Sequence, residues 1–253
     1  MALIELSSVT KAFFADRACS QATIALDQVD LTVEEGEFVS LLGPSGCGKT
    51  VTLGLIAGFD RPTAGEVLFR GKPVEGPDPE RGVVFQEYSL FPWLTVRGNI
   101  AYALHGRGLS RAQRLEAADD ALARVGMADF ADRRPNLLSG GMKQRVAIAR
   151  LLAMDSSVML MDEPFSALDE QNRTRLDDSL RQLWRREGKT VVFVTHSIAE
   201  AIAVSSRIVL FSAGPGRVAG QWQLPDSMPR DLDAPEARAL RDQIRACLEV
   251  PDL

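Results

Sequence analysis

No stretch of this 253-residue chain is apolar for long enough to cross a bilayer. The longest segment without Asp, Glu, Lys or Arg is Phe38 to Gly48, 11 residues and glycine-rich, against about 20 consecutive apolar residues for a span. Cysteine is scarce: Cys19, Cys47 and Cys247 are widely spaced and odd in number, which gives neither a disulfide framework nor a metal-ligand cluster and fits a reducing compartment. No block of five or six like charges occurs, and a net charge of −5 from 29 basic and 34 acidic residues does not recommend nucleic acid as a partner. The start, Met1 to Leu6, lacks a basic segment followed by an apolar run of signal-peptide length, so the chain is expected to stay in the cytosol. There is no internal repeat. What is present is ordinary globular composition, 45% apolar and 25% charged, in a length that suits one large domain or two small ones.

Short apolar or β-branched runs ending at polar or glycine positions recur at Phe38 to Leu42, Val83 to Phe85, Val158 to Met161, Val191 to Val194 and Ile208 to Phe211. They read as buried strands of an α/β sheet. Leu115, Ala118, Leu122 and Val125 repeat at helical spacing between Arg111 and Val125, and Leu176, Leu180 and Leu183 do so between Gln171 and Arg186, which predicts two amphipathic helices. The strands form two sets, before about residue 87 and after about residue 157, separated by some 70 residues of helical periodicity. That layout predicts a sheet core with a helical subdomain inserted at about 88–156. The alternating Leu3 to Leu6 and Leu31 to Val33 predict antiparallel strands beside the core. The reading is one domain over 1–225 and a short tail, 226–253, with a helix near Glu236 to Leu248.

The chemistry starts at Gly43-Pro44-Ser45-Gly46-Cys47-Gly48-Lys49-Thr50, which follows one predicted strand and precedes the apolar Val51 to Ala57. Strand, glycine-rich loop and helix in that order make a phosphate cradle. Backbone N–H groups turn toward an anion at a helix N-terminus, Lys49 reaches the outer phosphates and the Thr50 hydroxyl can bind Mg²⁺. Asp162 and Glu163 end the strand Val158 to Met161, at the sheet edge where open α/β folds bind ligands. Asp162 is expected to hold Mg²⁺, directly or through water, and Glu163 to deprotonate the attacking water. His196 closes the strand beginning at Val191 and is expected to bond the γ-phosphate, whereas His105 reads as a surface or hydrogen-bonded structural residue. Gln86, at the end of another strand, is expected to contact Mg²⁺ or the water.

Leu138-Ser139-Gly140-Gly141-Met142-Lys143-Gln144-Arg145 has no purpose inside a single phosphate site, yet Ser before two glycines at a helix start is a second anion-binding device. Here the sequence resembles the ATP-binding subunits of ABC transporters, whose signature is this Leu-Ser-Gly-Gly stretch. The resemblance spans about residues 3–222, with the loop at Gly43, Gln86, the signature, Asp162-Glu163-Pro164, Ser166-Ala167-Leu168-Asp169 and His196 in family order. It implies a P-loop NTPase with a RecA-like parallel core, an amino-terminal antiparallel β subdomain and an inserted helical subdomain. It implies ATP and Mg²⁺ as ligands, with Lys49, Gln86, Glu163 and His196 catalytic, Thr50, Gln86 and Asp162 at the metal, and Gly43 to Val51 around the phosphates. By the same resemblance Ser139, Gly140 and Gly141 contact the γ-phosphate held by a second subunit, in a head-to-tail pair that two copies of this chain can form. Asp169 lies on the loop that couples the two sites, and Phe13, or alternatively Phe14, stacks on adenine.

Gly76 to Gln86, Leu90 to Val96 with its Phe91-Pro92-Trp93, and Ser212 to Val218 resemble the branch serving nitrate, sulfonate and taurine importers. That implies integral-membrane permease subunits that seat a short helix near Trp93, a periplasmic or lipid-anchored solute-binding protein, and a place at the cytoplasmic face of the inner membrane. The core motifs are shared with exporters and with soluble ABC ATPases of translation and DNA repair, so these last segments alone favour import. One departure stands out: Val51 replaces the Thr or Ser common in relatives, removing a hydroxyl from the phosphate site.

Overall fold

The computed structural model describes residues 2–14, 22–166, 170–228 and 230–249, and for 170–172 and 249 the backbone alone. Two sheets organise the chain. In the first, the long strands β1 (Ala2–Phe14) and β2 (Ala22–Glu34) pair antiparallel. β4 (Ala64–Phe69) lies on the other side of β1, followed by the short β5 (Lys72–Pro73). Both long strands extend well beyond the predicted alternations. The pairing shifts register around Leu6 to Val9, and Ser8 and Gln28 adopt left-handed φ of 48° and 49°, so a bulge breaks the two-residue periodicity there.

The second sheet is built on β3 (Phe38–Leu42), every residue of which is buried. β8 (Thr190–Thr195) and β9 (Arg207–Phe211) run parallel to it on either side. β7 (Val158–Asp162) and β6 (Arg81–Val84) continue the parallel array past β8, and β10 (Val218–Gln223) closes the other edge antiparallel. The central strands read as continuous apolar runs because helices cover both faces. The predicted strand at Val83 to Phe85 instead starts at Arg81, where Arg81 and Gly82 pair with Val158 and Met159, and Phe85 lies past its end, exposed.

Between β6 and β7 come α2 (Val96–Ala103), α3 (Arg111–Arg124) and α4 (Gly140–Ala153). Thr95 caps α2 by accepting the Gly98 N–H at 3.0 Å, and Ser110 with Gln113 forms a reciprocal cap on α3. These three helices share one apolar core with Phe38, Met161 and Phe193 of the sheet, with Phe165 in the turn after β7, and with Leu176, Leu180 and Leu183 of α5 (Glu170–Glu187). A second core lies between the two sheets and α1 (Lys49–Ala57). The third joins the tail to the sheet. Ala237, Leu240 and Ile244 of α7 (Pro235–Glu249) pack against Leu42, Leu210 and Ile202, the last on α6 (Ile198–Val204). The tail helix is therefore part of the sheet domain's packing. Among the described residues no helix is long and apolar enough to cross a membrane.

Candidate functional site

The parallel strands β3, β7 and β8 end along one edge, and each ending carries chemistry. After Leu42 the chain turns through Gly43 to Gly48 into α1. Gly43 has φ +156° and a side chain there would strike Cys47 Sγ and the Phe211 carbonyl, each 2.8 Å away; Gly48 has φ +90° and would strike Leu26 at 2.4 Å. Glycine is required at both. The loop is clamped from two sides. Gly216 donates to the Ala25 carbonyl (2.9 Å) and accepts from the Asp27 N–H (3.0 Å), and a Cβ on Gly216 would lie 2.0 Å from the Cys47 carbonyl oxygen. Arg217 Nε adds a bond to Asp27 at 3.0 Å.

Lys49 is 5% exposed, and its ammonium donates to the carbonyls of Gly43 (2.7 Å) and Pro44 (2.8 Å). The cation thus sits in the mouth of its own loop, with Cys47 Sγ 3.6 Å away. Burial pushes the Cys47 thiol up from its ordinary value, against the pull of Lys49, so it stays a thiol beside the ammonium. Ala25, Ser45 to Val51 and Glu163 enclose a cavity of about 220 Å³. Val51 contributes an apolar wall and packs on the second core.

Thr50 Oγ1 donates to Asp162 Oδ1 at 3.0 Å. Burial holds the Asp162 carboxyl above the usual carboxylate range, opposed by the Thr50 bond and by Lys49 and reinforced by Glu163. A buried acid of this kind favours a cation beside it. Glu163 takes a left-handed φ of +43°, fixed by its N–H on the Val194 carbonyl (3.0 Å) and by Ser166 Oγ donating to its carbonyl (2.9 Å). Such a φ is costly for a residue with a side chain. Glu163 Oε2 lies 3.2 Å from His196 Nδ1. His196 follows β8 and its side chain is 56% exposed.

Lys49, Thr50, Asp162, Glu163 and His196 are therefore one constellation. Gln86 stands exposed two residues past β6. The segment after it is held by Arg150 of α4, which donates to the carbonyls of Tyr88 (2.9 Å) and Ser89 (2.7 Å), and by Asn99, which bonds both backbone groups of Phe91. Beyond it, Phe91 packs edge-on to Tyr102 at 4.8 Å and beside Trp93 at 5.3 Å. Trp93 is 68% exposed and Tyr102 55%, so Trp93 does not pack beneath the helices. Phe13 and Phe14 are likewise outside the core, and the Lys11 ammonium sits over the Phe13 ring at 5.0 Å. Asp169, with Ala167 and Leu168, lies outside the described residues.

The signature residues are elsewhere. Ser139 caps α4 by accepting the Met142 N–H (3.3 Å), and Gly140 and Gly141 form its first turn. A side chain at Gly141 would lie 3.2 Å from Leu176 of α5. Ser139 and Gly141 line a second cavity of about 280 Å³, which shares no lining residue with the first. Within one chain the fold does not bring Ser139 to Lys49. Sequence reasoning missed Ala25 and the clamping role of Gly216; a glycine just beyond β9 was the available signal, but nothing local says which loop it touches.

Comparison with known proteins places this arrangement. The family described as ABC transporter matches residues 26–166. A taurine import ATP-binding protein of Chromobacterium violaceum is 47% identical over 89% of this chain and 90% of its own length. A nitrate import ATP-binding protein of a Synechocystis species is 41% identical over 94% of this chain and 88% of its own. Among solved structures, the dimeric post-hydrolysis state of the ATP-binding cassette MJ0796 with ADP and Pi is 34% identical, covers 88% of this chain and 99% of its own, and superposes with a TM-score of 0.73.

Proposed function

The chain belongs to the ABC transporter family and is one of its ATP-binding, ATP-hydrolysing subunits, and from that premise we propose that it powers import of a small solute of the nitrate, sulfonate or taurine type. The observation that carries the reading is the Thr50 to Asp162 hydrogen bond, which joins the phosphate loop to the acidic strand end across 112 residues of sequence. The relatives named as taurine and nitrate import proteins supply the direction and the solute class.

Lys49 exchanges the Gly43 and Pro44 carbonyls for outer phosphate oxygens when ATP enters the cradle. A hydroxyl and a carboxylate oxygen 3.0 Å apart suit Mg²⁺, which usually takes one or two protein ligands and completes its shell with phosphate oxygens and water. Among the described residues no group of three or more His, Cys, Asp or Glu offers a metal site. Thr50 and Asp162, with Gln86, are the residues to hold the ion, which when bound offsets charge developing on the phosphates. Glu163 accepts a proton from the attacking water at its carboxylate as the bond between the β- and γ-phosphates breaks. His196 steadies that carboxylate through Nδ1 and turns its other ring nitrogen to the γ-phosphate. Phe13 offers a ring face to adenine.

Because the signature cavity is separate from the cradle, Ser139, Gly140 and Gly141 serve the nucleotide of a second copy, and two ATP molecules are sandwiched head to tail. The dimeric state of the MJ0796 cassette bound to ADP and Pi supports the pairing of two such subunits. The exposed Trp93 and Tyr102, with the half-buried Phe91 between them, form the surface on which permease subunits dock, holding the chain peripherally at the cytoplasmic face, with a solute-binding protein on the far side. Affinity capture of tagged Glu163→Gln from detergent-solubilised membranes in Mg-ATP tests the reading. The expected companion is a multispanning permease; recovery of ribosomal or DNA-repair proteins would contradict it.

A further inference from the structure

The cavity at the start of α4 contains more positive charge than the signature accounts for. Besides Ser139 and Gly141 it is lined by Arg145 of α4 and Arg175 of α5, with Met142 and Phe130 as apolar wall. Arg145 donates to the Val125 carbonyl at 3.3 Å, and Arg175 is exposed. Among the described residues neither guanidinium forms an ion pair with a carboxylate. Both line the cavity at the N-terminal end of the 14-residue α4, an end that itself carries partial positive charge. Three like charges converging on solvent repel one another, and a polyanion in the cavity reverses the sign of that interaction.

The chain's own phosphate loop does not supply this anion, since Lys49 and Ser139 line different cavities. Arg175 is also placed differently from the signature. Its neighbour Leu176 packs beneath Gly141, so α5 is in direct contact with the first turn of α4 and presents Arg175 beside Ser139. We propose that Arg175 is a nucleotide-binding residue acting across the dimer, its guanidinium engaging the triphosphate held by the second copy of this chain. The inference rests on the shared-site reading given above and adds a cation that the Leu-Ser-Gly-Gly motif does not contain. An Arg on this face makes pair formation depend on ATP, because without the polyanion its charge opposes the approach of the partner's own Lys49 region.

The test uses the full-length chain with Glu163→Gln to suppress turnover. The ATP concentration that half-dimerises it is measured by sedimentation, and nucleotide affinity of the monomer is measured separately at protein concentrations below dimerisation. Arg175→Gln is expected to raise the half-dimerising ATP concentration about tenfold and flatten its salt dependence, while monomer affinity stays within twofold; Arg175→Lys is expected to recover part of the loss. Unchanged dimerisation overturns the proposal. So does an equal loss in monomer affinity, which would place Arg175 in its own subunit's site. Ser139→Arg separates this failure from that of the shared-site reading. If Ser139→Arg abolishes dimerisation while Arg175→Gln has no effect, the role of Arg175 alone falls. If Ser139→Arg dimerises like its parent, or the parent does not dimerise at any ATP concentration, both fall.

Discussion

The cradle around Lys49 and the cavity around Ser139 are both glycine-rich helix starts, yet they are built to opposite specifications. The cradle is closed on itself: its cation is 5% exposed and bonded to two loop carbonyls, its glycines are wedged against β2 and the turn after β9, and the carboxylates of Asp162 and Glu163 lie beside it. The Ser139 cavity is not: Ser139 caps a single N–H at 3.3 Å, and its two arginines have no carboxylate partner among the described residues. A self-contained site satisfies its own charges. A half-site leaves them for a second molecule, and the contrast within one chain is the physical basis for reading this ATPase as a pair.

The largest expected effect is on the closed side. Glu163→Gln keeps the fold and ATP binding but removes the proton acceptor, so steady-state ATP hydrolysis should fall about a hundredfold or more, measured by phosphate release. Activity within tenfold of the parent would remove Glu163 from the chemistry. Gly216→Ala breaks the same region without touching a motif residue. Its Cβ would meet the Cys47 carbonyl oxygen at 2.0 Å, so overpacking should cost about 2 kcal/mol and roughly 5 °C in Tm. ATP affinity should drop with it, while Ser110→Ala, remote from both cavities, should leave affinity unchanged.

A third test concerns α5, which packs against α4 on one side and α6 on the other. Asp177 on its buried face is 6% exposed and its Oδ1 has no hydrogen-bond partner. Burial, with Glu200 and Asp178 nearby and Arg173 opposing, raises its pKa to about 8. The unfolded chain loses this proton near pH 4 and the folded chain near pH 8, so between those values the folded state binds more protons and stability falls as pH rises, by at most about 1.4 kcal/mol per pH unit. Asp177→Asn should flatten the slope between pH 5 and 8 in urea melts and gain most at pH 8. An unaltered slope would assign the pH dependence elsewhere. The smallest effect is expected at Val51. Val51→Thr restores a hydroxyl to the cradle wall and should tighten ATP binding by about 1 kcal/mol, roughly fivefold, read by equilibrium titration; unchanged affinity would show that the missing hydroxyl has no part.

The closed region was legible in the sequence because its elements are local: apolar runs ending at Leu42, Met161 and Thr195 mark buried strands, and the glycine, lysine and acid positions follow directly at their ends. The fold class and the order of its inserted helices could be read for the same reason. The 13-residue lengths of β1 and β2 could not, since bulges at Ser8 and Gln28 interrupt the alternation that reveals a strand. Gly216 and Ala25 were invisible because their importance is a contact across some 190 residues. Arg175 and Asp177 sit in a charged stretch of α5 that reads as a solvated face, and only packing against α4 and α6 tells the open side from the buried one.

The measurement that tests the pairing most directly is complementation between two variants in the Glu163→Gln background, Lys49→Ala, which lacks a working cradle, and Ser139→Arg, which lacks a working half-site. Each alone should retain no ATP through gel filtration. Mixed, they should form a dimer holding one ATP per two chains, because the intact Lys49 of one copy meets the intact Ser139 of the other. A mixture that retains no ATP, or a Ser139→Arg protein that by itself retains ATP as the parent does, would contradict the account.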